Sequence, residues 1–231
     1  FWNNHDQPRA LNRFVDVENF RNEGATMLAA SIHLSRGTPY IYMGEEIGMV
    51  DPDYDSMEDY VDVESLNAYQ SLLAEGQSPE AAFRIIKAKS RDNSRTPMQW
   101  DDSANAGFTT GTPWLKAGKS YPLINVENEI RGPIFTFYQK LIALRKELPI
   151  IAEGSYQPAY EDSPQVYAFE REWQGQKLLV LNNFYADPIT VDILPDYQNG
   201  QVLLSNYGRT QIDHVLTLQP YETLAILVGE N

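Results

Sequence analysis

The chain has 231 residues and a formal net charge of −14. This charge disfavours binding to nucleic acid or to an anionic membrane surface, because both carry charge of the same sign. With 42% hydrophobic and 12% aromatic residues, the chain can form packed cores. It contains no cysteine and only three scattered histidines. We therefore expect no disulfide, no metal site, no cofactor and a cytoplasmic location.

The first fifty residues predict a strand, a helix and a second strand. Pro8 ends a strand-like opening, and Gly37 ends the run of helical spacing that follows. The residues with this spacing are Phe20, Gly24, Met27, Leu28 and Ile32. Residues 38–42 are β-branched and aromatic with little alternation, as expected of a strand buried on both faces of a parallel sheet. Strand, helix, strand is the repeating unit of a (β/α)8 barrel.

The next segment, residues 51–119, is a long loop that contains two helical patterns, at residues 64–75 and 79–89. Ser78 precedes Pro79 and predicts an N-cap followed by proline at the first helical position. A long insertion after a barrel strand usually forms a wall of an active site. A further apolar stripe from Ile134 to Leu148 predicts the closing helix of the barrel.

After residue 150 the pattern changes to short β-type runs separated by turn residues. The runs are residues 166–170, 177–182, 189–193, 201–205, 215–218 and 224–228. Gln174 and Gly175 predict a tight hairpin between the first two runs. We therefore expect two domains: the last two strands and helices of the barrel in residues 1–150, and an antiparallel β-sandwich in residues 151–231.

Two polar motifs carry the functional signal. Residues 1–9 read FWNNHDQPR, and residues 91–101 read RDNSRTPMQWD. Each motif combines arginine, a carboxylate and an amide with a tryptophan. The hydroxyls of a hexose hydrogen-bond to such polar groups, and its C–H faces pack against aromatic rings. The two motifs therefore predict a sugar-binding site.

Both motifs resemble those of the α-amylase clan, glycoside hydrolase family 13. Within it they are most similar to the subgroup of oligo-1,6-glucosidases, dextran glucosidases and trehalose-6-phosphate hydrolases. Residues 1–6 resemble the signature region at the end of the seventh barrel strand, and residues 37–49 resemble the eighth strand and its exit loop. The resemblance covers nearly the whole chain. Because members of the clan exceed twice this length, it implies a C-terminal piece.

The resemblance also implies roles for particular residues. Two carboxylates carry out covalent and acid–base catalysis in retaining glycosidases, and in this clan both lie upstream of the position of Phe1. Asp6 resembles a third carboxylate, which stabilises the transition state by binding the C2 and C3 hydroxyls of the sugar in the −1 subsite. His5 would bind the same edge, Arg91 the O4 edge, and Glu64 would reach the +1 subsite. We expect the chain alone to be inactive, with the N-terminal part of the barrel and a small sugar as its partners.

Structural alternatives exist for three of these residues. The motif around His5 and Asp6 is also compatible with a turn in which the imidazole packs in a core. Arg91, or its neighbour Arg95, could instead pair with Asp92 or Asp101 and never contact a ligand. We favour this structural pairing for Arg95 and ligand binding for Arg91.

Other polar and aromatic residues on the long loop are less specific. Glu64 is as consistent with a solvated helix start, where carboxylates are favourable, as with a ligand contact. Trp100, Phe108 and Trp114 could be sugar platforms or loop packing, and we favour packing for Trp114. The acidic run at residues 51–55 lacks the glycine turn and distal glutamate of an EF-hand, so we predict no calcium site.

The resemblance favours hydrolysis of α,α-trehalose 6-phosphate to glucose and glucose 6-phosphate. Cleavage of α-1,6-linked glucans by an oligo-1,6-glucosidase or dextran glucosidase is the alternative, because the cations that would bind phosphate lie upstream. A third interpretation is a non-catalytic carbohydrate-binding module, since a sandwich fold alone does not fix function.

Overall fold

The computed structural model describes residues 2–229, which form two compact units. Unit 1 comprises the described residues up to Arg13 together with Ile41–Gly132, and unit 2 comprises Phe14–Tyr40 and the described residues from Pro133 onward. The helices are α1 (Ala10–Phe14), α2 (Val17–His33), α3 (Val63–Ala74), α4 (Pro79–Lys89), α5 (Val126–Glu129), α6 (Pro133–Glu147) and α7 (Pro149–Glu153). The strands are β1 (Gln157–Ala159), β2 (Val166–Trp173), β3 (Gln176–Asn183), β4 (Ile189–Asp192), β5 (Gln201–Ser205), β6 (Val215–Leu218) and β7 (Thr223–Val228).

Helices α3 and α4 of unit 1 begin at side-chain caps. The Ser78 hydroxyl accepts the Ala81 N–H at 3.2 Å, so α4 begins at Pro79 as predicted. Asp62 caps α3 in the same way, accepting the Ser65 N–H at 3.3 Å. Between the two helices lies a small core of buried side chains, Tyr54, Tyr60 and Ile86, with Phe83 at its edge. The long loop is therefore folded around its own packed centre.

The strand predicted at residues 38–42 is wrong for this chain. These residues have no strand conformation, and Tyr40 is 84% exposed instead of buried. A parallel strand obtains its hydrogen bonds from neighbouring strands. In the part of the chain that the structure describes, every paired strand belongs to β1–β7, so this segment has no partner strand. The opening shows no strand from Trp2 to Asp6 either, and Phe1 lies outside the described residues.

Unit 2 contains the predicted antiparallel sheets. Five strands pair in the order β1-β2-β3-β7-β5, and β4 pairs with β6 in a second sheet. Their shared core includes Leu179, Leu181, Leu218 and Leu224, all fully buried. The hairpin between β2 and β3 turns at Gln174 and Gly175, both with positive φ, a conformation that glycine adopts without strain.

The compact units do not follow the domain boundary predicted between residues 150 and 151. Helix α2 packs against α6 and also against β3 and β7. The Asn206 amide reaches α2 and donates to the Glu23 carbonyl at 3.1 Å. Two helices from the first 150 residues therefore belong to the same compact unit as the sheets, while the domain boundary itself stays a prediction.

Candidate active site

Unit 1 brings the four predicted site residues into one cluster. The Asp6 carboxylate lies 3.3 Å from the His5 imidazole Nε2 and 3.8 Å from Nη1 of Arg91. Nη2 of Arg91 lies 3.4 Å from the Glu64 carboxylate. Residues that are up to 86 positions apart in the sequence, from His5 to Arg91, thus face one another.

A hydrogen-bonded turn presents Asp6 to solvent. Its N–H donates to the Asn4 side chain at 2.9 Å, and Asn3 fixes the base of the turn by accepting the Ala10 N–H at 2.7 Å. The side chain of Asp6 is 49% exposed and that of His5 is 70% exposed. The alternative in which His5 packs in a core is therefore wrong, although the segment is a turn.

The guanidinium of Arg91 binds Asp62, a partner that was not predicted from the sequence. Its Nε and Nη2 donate to the two oxygens of Asp62 at 3.1 and 2.5 Å. This paired hydrogen bond raises the pKa of Arg91. Burial acts to raise the pKa of Asp62, but the hydrogen bond and charge of Arg91 outweigh it, so the pKa lies below its ordinary value. The edge of Arg91 expected to bind sugar is occupied, and Nη1 is the group directed toward Asp6.

Arg95 belongs to the same cluster, contrary to the pairing favoured from the sequence. Its Nε donates to the His5 carbonyl at 2.7 Å and its Nη2 to the Asp6 carboxylate at 3.1 Å. The acids nearest in sequence are engaged elsewhere. Asp92 accepts backbone N–H groups, including that of Asp62 at 2.9 Å, and Asp101 accepts the Ser103 N–H at 2.8 Å.

Sequence reasoning thus missed Asp62 and assigned the wrong partners to Arg95. A signal for Asp62 was present: an aspartate directly before an apolar helical pattern is a preferred N-cap and so sits at a fixed position. No comparable local signal marks Arg95, because its contacts with His5 and Asp6 span about 90 residues.

The remaining candidates lie at the edge of the cluster or away from it. The Glu64 side chain is 74% exposed in the first turn of α3, where it is both solvated and within reach of Arg91. Trp114 is 67% exposed, so the interpretation that it packs beneath the loop is wrong. Trp100 and Phe108 are about half exposed. A platform role for these rings stays a prediction.

Two aspartates of the acidic run at residues 51–55, which might have suggested calcium binding, are paired with lysines. Asp53 contacts Lys87 at 2.5 Å, and Asp55 contacts Lys119 at 2.5 Å. Across residues 2–229, no group of three or more His, Asp or Glu side chains is arranged to hold a metal ion. In the same residues, no helix is long and apolar enough to cross a membrane.

Comparison with known proteins identifies the family. The profile of the α-amylase catalytic domain matches residues 1–154, and that of the α-amylase SusG C-terminal domain matches residues 166–224. An oligo-1,6-glucosidase of Halalkalibacterium halodurans is 45% identical over all of this chain and 42% of its own length. A trehalose-6-phosphate hydrolase of Bacillus subtilis is 44% identical over 97% of this chain and 41% of its own length.

Solved structures also resemble this chain. The crystal structure of Bacillus licheniformis trehalose-6-phosphate hydrolase aligns with a TM-score of 0.94 at 43% identity, over 100% of this chain and 43% of that one. The trehalulose synthase MutB, in its A258V variant, aligns with a TM-score of 0.91 at 36% identity, over 99% of this chain and 42% of that one. The chain spans about two fifths of the length of these relatives. It belongs to the α-amylase family of glycoside hydrolases and matches the C-terminal part of the barrel together with the antiparallel sheet domain that follows it.

Proposed function

We propose that this chain supplies one side of the −1 subsite of a retaining α-glucosidase that hydrolyses α,α-trehalose 6-phosphate. The observation that carries the proposal is the cluster in which Asp6 is flanked by His5, Arg91 and Arg95. Relatives named trehalose-6-phosphate hydrolase, at 44% identity, support the substrate. The N-terminal part of the barrel is the proposed partner of this chain.

In this function Asp6 stabilises the transition state. Its carboxylate accepts hydrogen bonds from the hydroxyls at C2 and C3 while positive charge develops at the sugar ring. The two arginines flank and orient the carboxylate, and His5 extends the hydrogen-bonding edge. The nucleophile and the general acid come from the N-terminal part of the barrel. The cytoplasmic location stays a prediction.

Charge at the cluster supports a second candidate, hydrolysis of neutral α-1,6-linked glucosides. Three carboxylates, those of Asp6, Asp62 and Glu64, face the two guanidinium groups of Arg91 and Arg95. A phosphate placed close to this excess of negative charge would be repelled. An oligo-1,6-glucosidase is also among the relatives, at 45% identity. A phosphorylated substrate would therefore need cations from the N-terminal part of the barrel.

The test compares substrates on a protein in which this chain follows its N-terminal barrel segment. We expect kcat/KM for α,α-trehalose 6-phosphate to exceed that for trehalose and isomaltose by a factor on the order of 10² or more, because a bound phosphate dianion adds charge-assisted hydrogen bonds. A preference for isomaltose supports the second candidate. Sugar binding without hydrolysis of any α-glucoside supports the binding-module interpretation and overturns the enzymatic proposal.

A further inference from the structure

A single buried carboxylate lies beneath the two arginines of the cluster. The side chain of Asp62 is 5% exposed. Its oxygens accept both donors of Arg91, at 3.1 and 2.5 Å, and Oδ1 also lies 3.6 Å from Nη1 of Arg95. Asp62 therefore anchors Arg91 by two hydrogen bonds, and it lies near Arg95 as a charged neighbour beyond hydrogen-bonding range.

The anchor is itself held rigidly. The backbone N–H groups of Val61 and Asp62 both donate to Oδ2 of Asp92, at 2.8 and 2.9 Å, and Asp92 is fully buried. The other hydrogen bonds of Asp62 come from Ser65, whose N–H and hydroxyl donate at 3.3 and 3.2 Å. A carboxylate with this many fixed donors has little rotational freedom, so it defines the plane of any guanidinium bound to it.

The distances indicate what this anchor does for Asp6. Arg91 approaches Asp62 to 2.5 Å but stays 3.8 Å from Asp6, beyond hydrogen-bonding range. Without the Asp62 charge, the nearest carboxylates to Arg91 would be Asp6 and Glu64. The guanidinium would then close onto Asp6 and occupy oxygens that must accept sugar hydroxyls.

We propose that Asp62 is a positioning residue, which holds Arg91 beside Asp6 and prevents the guanidinium from closing onto the Asp6 carboxylate. This inference rests on the proposed function for its catalytic consequence. Its geometric part concerns the 231-residue chain alone and is tested separately.

The geometric test measures the arginine side chains by NMR in the 231-residue chain. Asp62→Asn retains one oxygen for the cap of α3 but places an amide N–H₂ against Arg91, so the paired hydrogen bond is lost. We expect hydrogen exchange of the Arg91 Nε–H to accelerate about tenfold or more, as for loss of a charge-assisted hydrogen bond. Ser78→Ala is the matched control, because it removes the cap of the neighbouring helix α4 without touching the cluster. Unchanged exchange in Asp62→Asn overturns the proposal.

The kinetic test uses the protein with its N-terminal barrel segment. We expect Asp62→Asn to raise KM and to lower kcat/KM by a factor of about 10 to 100, while Ser78→Ala leaves KM unchanged. A purely structural role for Asp62 would reduce the folded fraction without changing KM, and that result overturns the proposal. If the unsubstituted protein cleaves no α-glucoside while exchange at Arg91 still depends on Asp62, the proposed function fails and the anchoring of Arg91 stands.

Discussion

At the scale of single residues, the Asp6 side chain is half exposed and its ion-pair partner is Arg95. Because it is not part of a buried core, it can be substituted without loss of the fold. We predict that Asp6→Asn, in the protein with its N-terminal barrel segment, lowers kcat by a factor on the order of 10² and raises KM much less. A contact that strengthens in the transition state affects the rate more than binding. Steady-state kinetics with circular dichroism as a folding check measure this. Near-normal kcat would show that the motif is scaffold.

Arg91→Lys tests the other side of the cluster. Lysine keeps the charge but cannot reproduce the two parallel hydrogen bonds to Asp62. We predict weaker substrate binding together with a lower kcat/KM. The buried carboxylate of Asp62 loses a hydrogen-bond partner as well, so the unfolding free energy should fall. Denaturant titration and KM determination provide the two readouts, and unchanged KM contradicts the sugar-binding role.

The buried carboxyl of Asp51 makes stability depend on pH. Burial raises the pKa of Asp51 to about 6 from 3.8, although the Arg9 N–H, the Arg9 charge and the Asn93 amide oppose the shift. The folded state therefore prefers the neutral acid. The stability that this group contributes is fully present below pH 3.8 and is lost as the pH rises through about 6.

We therefore predict that Asp51→Asn becomes more stable than the unsubstituted chain as the pH rises from 4 to 6.5. The gain should be on the order of 1–3 kcal/mol and constant above that window. Denaturant unfolding at a series of pH values measures the difference. Asp55→Asn is the control, because its side chain is 78% exposed. A stability difference that is independent of pH would contradict the assignment.

The site residues that could be predicted from the sequence are those that lie within a recognisable local motif. Four predicted site residues lie in motifs that can be recognised in the sequence, and the structure brings all four together: His5, Asp6, Glu64 and Arg91. Their roles in catalysis stay predictions. The partners of Arg95 were not predicted, because an ion pair between distant loops leaves no pattern in either loop. The N-cap signal of Asp62 fixes its position on the helix but does not indicate that Arg91 is its partner.

At the scale of elements, local chemistry predicted most helices and strands. Ser78 and Pro79 correctly predicted where α4 begins, and β5 and β6 have the predicted bounds. The prediction at residues 38–42 was wrong because a parallel strand depends on neighbouring strands rather than on its own residues. Helices and hairpins form their hydrogen bonds within a short stretch of sequence, so they can be predicted from local residues.

Helix α2 offers a prediction that runs against helix propensity. Gly24 lies inside the helix, where alanine is normally favoured by about 1 kcal/mol. A Cβ at this position would come within 2.9 Å of the Val15 Cβ and closer still to its methyl groups. We predict that Gly24→Ala destabilises the chain by about 1–3 kcal/mol through overpacking.

A double-mutant cycle identifies the cause. In the background of Val15→Ala the methyl groups are gone, so Gly24→Ala should cost less or become stabilising. Unfolding free energies of the four variants give a coupling of at least about 0.5 kcal/mol if the two side chains collide. Additive effects would mean that the helix bends away instead.

At the scale of the whole molecule, sequence periodicity separates helical from β-type segments but does not say which of them pack together. The chain changes period near Pro149, as predicted, whereas α2 lies against β3 and β7. Contacts of this kind join residues about 200 positions apart, such as the Asp16 N–H and the Tyr221 hydroxyl at 3.1 Å. Contacts between residues so far apart in sequence depend on how the helix and the sheet fit together, and no local sequence pattern contains that information.

The 231 residues alone are not expected to catalyse glycoside hydrolysis. A retaining glycosidase needs two carboxyl groups about 5–5.5 Å apart, one of them kept protonated by a raised pKa. In the described cluster Asp62 has a lowered pKa and is bound to Arg91, and Asp6 is paired with Arg95. We therefore expect no hydrolysis of p-nitrophenyl α-glucoside, trehalose 6-phosphate or isomaltose by the purified chain. We expect activity when the N-terminal barrel segment is joined to it, and loss of that activity in Asp6→Asn. Turnover by the isolated chain that disappears in Asp6→Asn would instead place a complete catalytic apparatus within these residues.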